Sequence, residues 1–206
     1  MTITRKASFL AVCATVLLAA APAAVAEQII FVATGTFDAT GTSRLDNIAG
    51  VDISFDTGIG VLNLEDGEFS FATFGQFNTS LTDAATPVQV DTGFTLNITQ
   101  SAPTFDTYDF TGSISGRIYS EGSTLVMQFN GPLTFTTADG RVRYDILNAD
   151  SGTPGRIVIS APNTNGGITS VNGQVTLNAI PEPSAFALMG LGIPALLLFR
   201  RRLAAA

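Results

Sequence analysis

From Glu27 to Asn178 the apolar residues never keep a 3.6-residue period. They come in short runs rich in Val, Ile, Phe and Thr, broken by Gly, Asn, Asp and Pro. Successive side chains of a strand point to opposite faces, so this period of two is the mark of half-buried strands rather than helices. The pattern predicts strands near Gln28–Phe37, Gly50–Phe55, Ile59–Glu65, Glu68–Phe74, Val88–Thr99, Tyr108–Tyr119, Thr124–Phe129, Leu133–Ala138, Arg141–Leu147, Arg156–Ser160 and Ile168–Leu177. Many short antiparallel strands without helical crossovers imply an all-β fold: an antiparallel β-sandwich, jelly-roll-like, with a barrel as the alternative. Most of the fifteen Phe lie in this stretch and are expected to fill the space between the sheets. At roughly 150 residues it suffices for one domain that buries about 70% of its unfolded surface. No spacing repeats along it.

Two Asp-Gly turns set registers that the side chains can check. Around Asp139-Gly140, a two-residue loop pairs Leu133 with Ile146, Phe135 with Tyr144 and Thr137 with Val142 on the core face. The other face pairs Thr134 with Asp145, Thr136 with Arg143 and Ala138 with Arg141. A slip of one residue would bring polar side chains to the core, so this register is well specified. Around Asp66-Gly67 the same geometry pairs Leu64 with Phe69 and Leu62 with Phe71. Its tip then sets Glu65 opposite Glu68 with Asp66 between them, an unfavourable meeting of like charges that water or a cation would relieve. Weak Ca²⁺ binding is one reading of this tip and of Asp106 and Asp109, although no EF-hand or RTX spacing accompanies them. Pro103, Pro154 and Pro162 are expected in loops.

Charge and residue types narrow the chemistry. The body carries sixteen acidic side chains against five arginines, a net −11, which argues against nucleic acid as a partner. The chain has no His, and its only Cys and Lys, Cys13 and Lys6, precede Glu27. A body without His, Lys or Cys lacks the usual base of a serine nucleophile, the thiol nucleophile and the typical zinc ligands. A glycosidase-like carboxylate pair survives on paper, but nothing ranks one pair over another, and a chain without Trp offers few sugar-stacking platforms. The body is read as non-catalytic, and no cofactor or metal site is expected. Asn78-Thr-Ser80 and Asn97-Ile-Thr99 match the glycosylation sequon by chance.

The two ends of the chain are addresses. Arg5 and Lys6 form a basic start, Phe9–Leu18 is a short apolar run, and Ala24-Val25-Ala26 is a small-residue cleavage site before Glu27. This order marks residues 1–26 as a secretory signal peptide for the Sec machinery and signal peptidase, with Ala24 and Ala26 in the peptidase's two pockets and Glu27 as the new first residue. At the other end Pro181-Glu182-Pro183 is stiff and helix-incompatible. From Ser184 to Phe199 nothing is charged. At about 1.5 Å per residue that run reaches roughly 24 Å, a marginal transmembrane helix. Arg200-Arg201-Arg202 then stops it and is held on the cytoplasmic side. Pro194, with Gly190 and Gly192, is expected to kink the helix.

Residues 179–206 thus resemble the PEP-CTERM sorting signal of bacterial envelope proteins, which has a Pro-Glu-Pro motif, an apolar helix and an arginine-rich end in that order. The resemblance implies an exosortase as a partner, a transpeptidase-like membrane enzyme that cuts near Pro181-Glu182-Pro183. It also implies a protein held in the inner membrane as an intermediate and then placed on the surface or outside the cell. The β-domain would then have a structural or adhesive role, with exopolysaccharide as a candidate partner. The alternative is a glycan- or Ca²⁺-binding module on a plain single-span anchor.

Overall fold

The computed structural model describes residues 26–48, 50–81 and 86–179. The expected C-terminal helix lies outside them, as does the expected signal peptide apart from Ala26. The described chain is all-β, with one short 3₁₀ turn at Asn165–Gly167. Its strands are β1 (Glu27–Phe37), β2 (Arg44–Ile48), β3 (Val51–Leu64), β4 (Phe69–Leu81), β5 (Val88–Ala102), β6 (Asp106–Tyr119) and β7 (Gly122–Ser123). There follow β8 (Val126–Phe129), β9 (Thr134–Thr136), β10 (Val142–Ile146), β11 (Ala149–Asp150), β12 (Thr153–Pro154), β13 (Arg156–Val158) and β14 (Ile168–Leu177).

Twelve strands form one antiparallel sheet in the order β13-β8-β6-β5-β1-β3-β4-β14-β10-β9, with β2 on β3 and β7 on β6. The two faces expected of a sandwich belong to one large sheet that curls on itself. Its two halves share β3, whose first half pairs with β4 and whose second half pairs with β1. Aromatic rings bridge the facing halves: Phe31 of β1 meets Phe74 of β4 and Tyr144 of β10 edge-on, each at 5.6 Å between centroids. Phe37, Phe55, Phe77 and Phe94 form a second cluster with centroids 4.9 to 6.3 Å apart. All four are buried. Each such side chain contributes about 1.5–3 kcal/mol on leaving water, so the core is aromatic, as expected of this composition. The hydroxyl of buried Tyr144 donates to Gln100 Oε1 of β5 at 2.7 Å, which satisfies the one large polar side chain in that space.

Several expected elements change. Gly50–Phe55 and Ile59–Glu65 are one strand, because Asp56-Thr57-Gly58 is no turn but the point where β3 passes from one half of the sheet to the other. There Gly58 lies so close to β4 that an added Cβ would stand 2.5 Å from the backbone of Phe74 and Gly75. Gly75 has φ +112, a conformation in which L side chains are strained. Strand β2 carries no clear alternation and was not expected. Pro154 sits in the two-residue β11–β12 ladder rather than in a loop, at an edge where its missing N–H costs nothing.

The Asp139-Gly140 hairpin keeps the expected register: Thr134 faces Asp145, Phe135 faces Tyr144 and Thr136 faces Arg143. Thr137 N–H donates to Val142 O at 2.8 Å and Ile146 N–H to Leu133 O at 2.8 Å, extending the same register at both ends. Only the Ala138–Arg141 pair is absent, since Ala138 N–H is drawn to Asp106 Oδ2 at 2.8 Å. The Asp66-Gly67 hairpin forms its turn, with Glu68 N–H donating to Glu65 O at 3.0 Å, but not its ladder. Pairing of β3 with β4 starts only at Thr57 opposite Gly75 and runs one residue out of the expected register to Val51 opposite Leu81. Below that point β3 follows β1, while β4 follows β14. Phe69 and Phe71 consequently do not join Leu64 on a core face and are 55% and 69% exposed. The bulge at Gly75 explains this. It lets both Phe74 and Phe77 point inward, so the inward parity is even below Gly75 and odd above it.

Candidate functional site

Both ends of the described body leave from one tip, and Arg141 holds them there. β14 runs antiparallel beside β10, so its last residues arrive at the Asp139-Gly140 turn just as β1 begins beside Leu64. The Arg141 guanidinium pairs through Nη2 with Glu27 Oε2 and through Nη1 with Asp66 Oδ1 at 2.9 Å. The same Nη1 donates to Asn178 O at 2.8 Å. Two more bonds fix Asn178: its N–H donates to Arg141 O at 2.7 Å and its Nδ2 to Gly140 O at 2.9 Å. One cation therefore joins the start of β1, the acidic β3–β4 turn and the end of β14. Burial works against the Arg141 charge, but the hydrogen bonds and charges of Glu27 and Asp66 outweigh it and hold its pKa above the ordinary value.

Asp139 organises the rest of the tip. Its Oδ1 accepts from Thr137 Oγ1 at 2.6 Å and from Arg141 N–H at 2.9 Å, and its Oδ2 accepts from Thr104 Oγ1 at 2.6 Å. Burial would raise its pKa, yet these donors and the Arg141 charge leave it below the ordinary carboxylate value. Thr104 belongs to the β5–β6 turn, whose next residue, Phe105, is 75% exposed. Beneath the tip, burial and the Asp106 charge push the Tyr144 phenol well above its ordinary value.

The structure answers the cation question raised by the acidic turn with Arg141 on Asp66, while Glu68 Oε2 accepts from Glu65 N–H at 2.9 Å. Asp106 and Asp109 are spent separately: Asp106 on Thr107 N–H and Ala138 N–H, Asp109 on Asn97 Nδ2 at 2.7 Å. Among the described residues no three His, Cys, Asp or Glu are gathered as a metal site would need. No family model, curated protein or solved structure matches the chain. Of the processing residues expected from the sequence, Ala26 is exposed and Glu27 opens β1 under Arg141. Ala24, Pro181, Glu182, Pro183, Arg200, Arg201 and Arg202 lie outside the described residues.

Two features were not foreseen. Arg141 was placed only at the start of a strand opposite Ala138, although it is one of just five arginines in a body rich in acids, and a cation was one of two ways to relieve the acidic Asp66-Gly67 turn. The second is a shallow groove of about 350 Å³ on the outer face, lined by Phe71, Thr73, Leu147 and Asn172. Phe69 meets Phe71 edge-on beside it at 5.6 Å. Assigning every Phe to the core hid this surface.

Proposed function

We propose that the chain is an exported envelope protein, sorted by an exosortase through residues 179–206, whose jelly-roll-like β-body is non-catalytic and has a structural or adhesive role. The observation that carries this reading is the order Pro181-Glu182-Pro183, uncharged run, Arg200-Arg201-Arg202, since packing alone would not select that order. Signal peptidase acts before Glu27, and the apolar run holds the protein in the inner membrane until the exosortase acts. In keeping with this, Glu27 and Asn178 sit together at one tip, so a body released at both ends keeps its sheet whole. The lack of His, Lys and Cys in the body removes the common nucleophile and base pairs.

The Glu182 carboxylate, between two prolines that fix its backbone, serves as the recognition contact. Glu182→Gln keeps its shape and removes its charge, so export and insertion continue while processing stops. Replacing Arg200, Arg201 and Arg202 with Ser instead loosens membrane orientation. Cells with and without an exosortase are fractionated and the protein sized in each fraction. If wild type, the Glu182→Gln variant and the exosortase-lacking strain all yield one full-length membrane species, the segment is a plain anchor.

A second reading rests on the outer groove. The exposed Phe71 ring and the Asn172 and Thr73 side chains offer one apolar and two polar contacts, the kind of surface on which a glycan such as an exopolysaccharide can lie. Saturable heat in a titration with the producer's own polysaccharide would favour it, and a flat titration would leave the structural role.

A further inference from the structure

We propose that the tip carrying Phe105 and Phe69 rests in the interfacial layer of a zwitterionic phospholipid bilayer, a placement that depends on residues 184–199 spanning the membrane. Chain length supplies the first constraint. Asn178 is tied to Gly140 and Arg141, and only five residues, 179–183, separate it from Ser184. The six residue steps from Asn178 to Ser184, at about 3.3–3.6 Å each, reach at most about 22 Å. The headgroup layer itself takes up roughly 5–7 Å of that, so the body's tip can stand no more than about 17 Å clear of the lipid surface.

The tip is also where large aromatic surface is left bare. Phe105 follows Thr104, which is bonded to Asp139, and Asp139 adjoins the Gly140 carbonyl that accepts from Asn178. A side chain 75% exposed therefore lies within the cluster from which the chain departs. Phe69 stands opposite Thr176, two residues before Asn178, and is 55% exposed. Aromatic rings gain by leaving water for the headgroup boundary, and they do so without leaving polar groups unpaired.

Charge selects the lipid and rules against a second copy. Around the tip stand the carboxylates of Glu27, Glu65, Asp66, Glu68, Asp106 and Asp139, with Arg141 as the cation among them. Two such tips repel one another, and an anionic bilayer would repel either. A zwitterionic surface does neither.

The chain has no Trp, so single tryptophans report position without background. Full-length protein carrying Phe105→Trp or Tyr119→Trp is reconstituted into phosphatidylcholine vesicles with or without brominated acyl chains, and vesicles are floated before fluorescence is read. Tyr119 ends the 14-residue β6 that Asp106 begins, about 44 Å away at the rise of an extended strand. The expected result is co-flotation of both variants, with blue-shifted, bromine-quenched emission from position 105 and unquenched emission from position 119. Co-flotation with position 105 unquenched overturns the proposal and leaves the anchor standing. Failure of both variants to float removes the anchor and the proposal with it.

Discussion

The two Asp-Gly hairpins begin alike and end differently. At Asp139-Gly140 the strands stay side by side, and the register set by the turn continues through Phe135 and Tyr144. At Asp66-Gly67 the turn closes, yet β3 and β4 part at once, meet again at Thr57 and Gly75, and do so one residue out of step. The difference lies in what each strand has on its other side. β9 is an edge strand with β10 as its one neighbour, so nothing competes with the turn. β3 and β4 are each claimed by a further strand, β1 and β14, and the sheet must curl between them. A turn dictates register only as far as both strands remain in the same half of the fold.

This contrast can be broken most severely at Gly75. Gly75→Ala puts a Cβ 2.5 Å from Asp56 O and the Phe55 ring at φ +112, so the crossing of the two halves is lost. A loss of about 3 kcal/mol or more is expected in urea unfolding. The equivalent change at the tip of the other hairpin, Gly140→Ala, meets no atom within 4 Å and costs only its positive φ, about 1–2 kcal/mol.

Arg141→Met tests the side chain that ties the tips of the two hairpins together. It strands Glu27 and Asp66, which are partly hydrated, so a loss of about 2 kcal/mol is expected rather than the larger value of a fully buried pair. Faster amide exchange at Asn178 should accompany it, and unchanged exchange there would show that Arg141 does not hold the end of β14. Tyr144→Phe sharpens the comparison from inside the hairpin that keeps its register: buried Gln100 loses its donor, at about 1–1.5 kcal/mol, with no change in strand content.

The smallest effect is electrostatic. Asp139 has a folded pKa below its unfolded value, so its stabilising contribution is fully present above about pH 3.9. It fades as pH falls from there through the lower folded value. Asp139→Asn should flatten that part of the acid limb in a denaturation series, and an unchanged limb would show that the Thr104, Thr137 and Arg141 contacts do not set it.

Alternation was enough to read the all-β class, most strand positions and the register of Leu133–Leu147, because those depend on neighbours close in sequence. The curl at Gly58 and Gly75 depends on which distant strand claims each half of β3 and β4. Nothing in Asp56-Thr57-Gly58 separates a turn from a crossing point. The parity flip at Gly75 followed from the same cause, and it carried Phe69 and Phe71 from an expected core face to the surface. At the candidate site, like charges at Glu65, Asp66 and Glu68 called for relief by water or by a cation. That Arg141, 75 residues further on, would supply it required the fold.

In the proposed reading this tip is the base of a body bounded by two processing points. The direct measurement is the intact mass of the protein recovered from the surface or medium of exosortase-bearing cells. The expected species begins at Glu27, ends near Pro181-Glu182-Pro183 and lacks Ser184–Ala206. A recovered species that retains Cys13, or one that retains the arginines at 200–202, would contradict it.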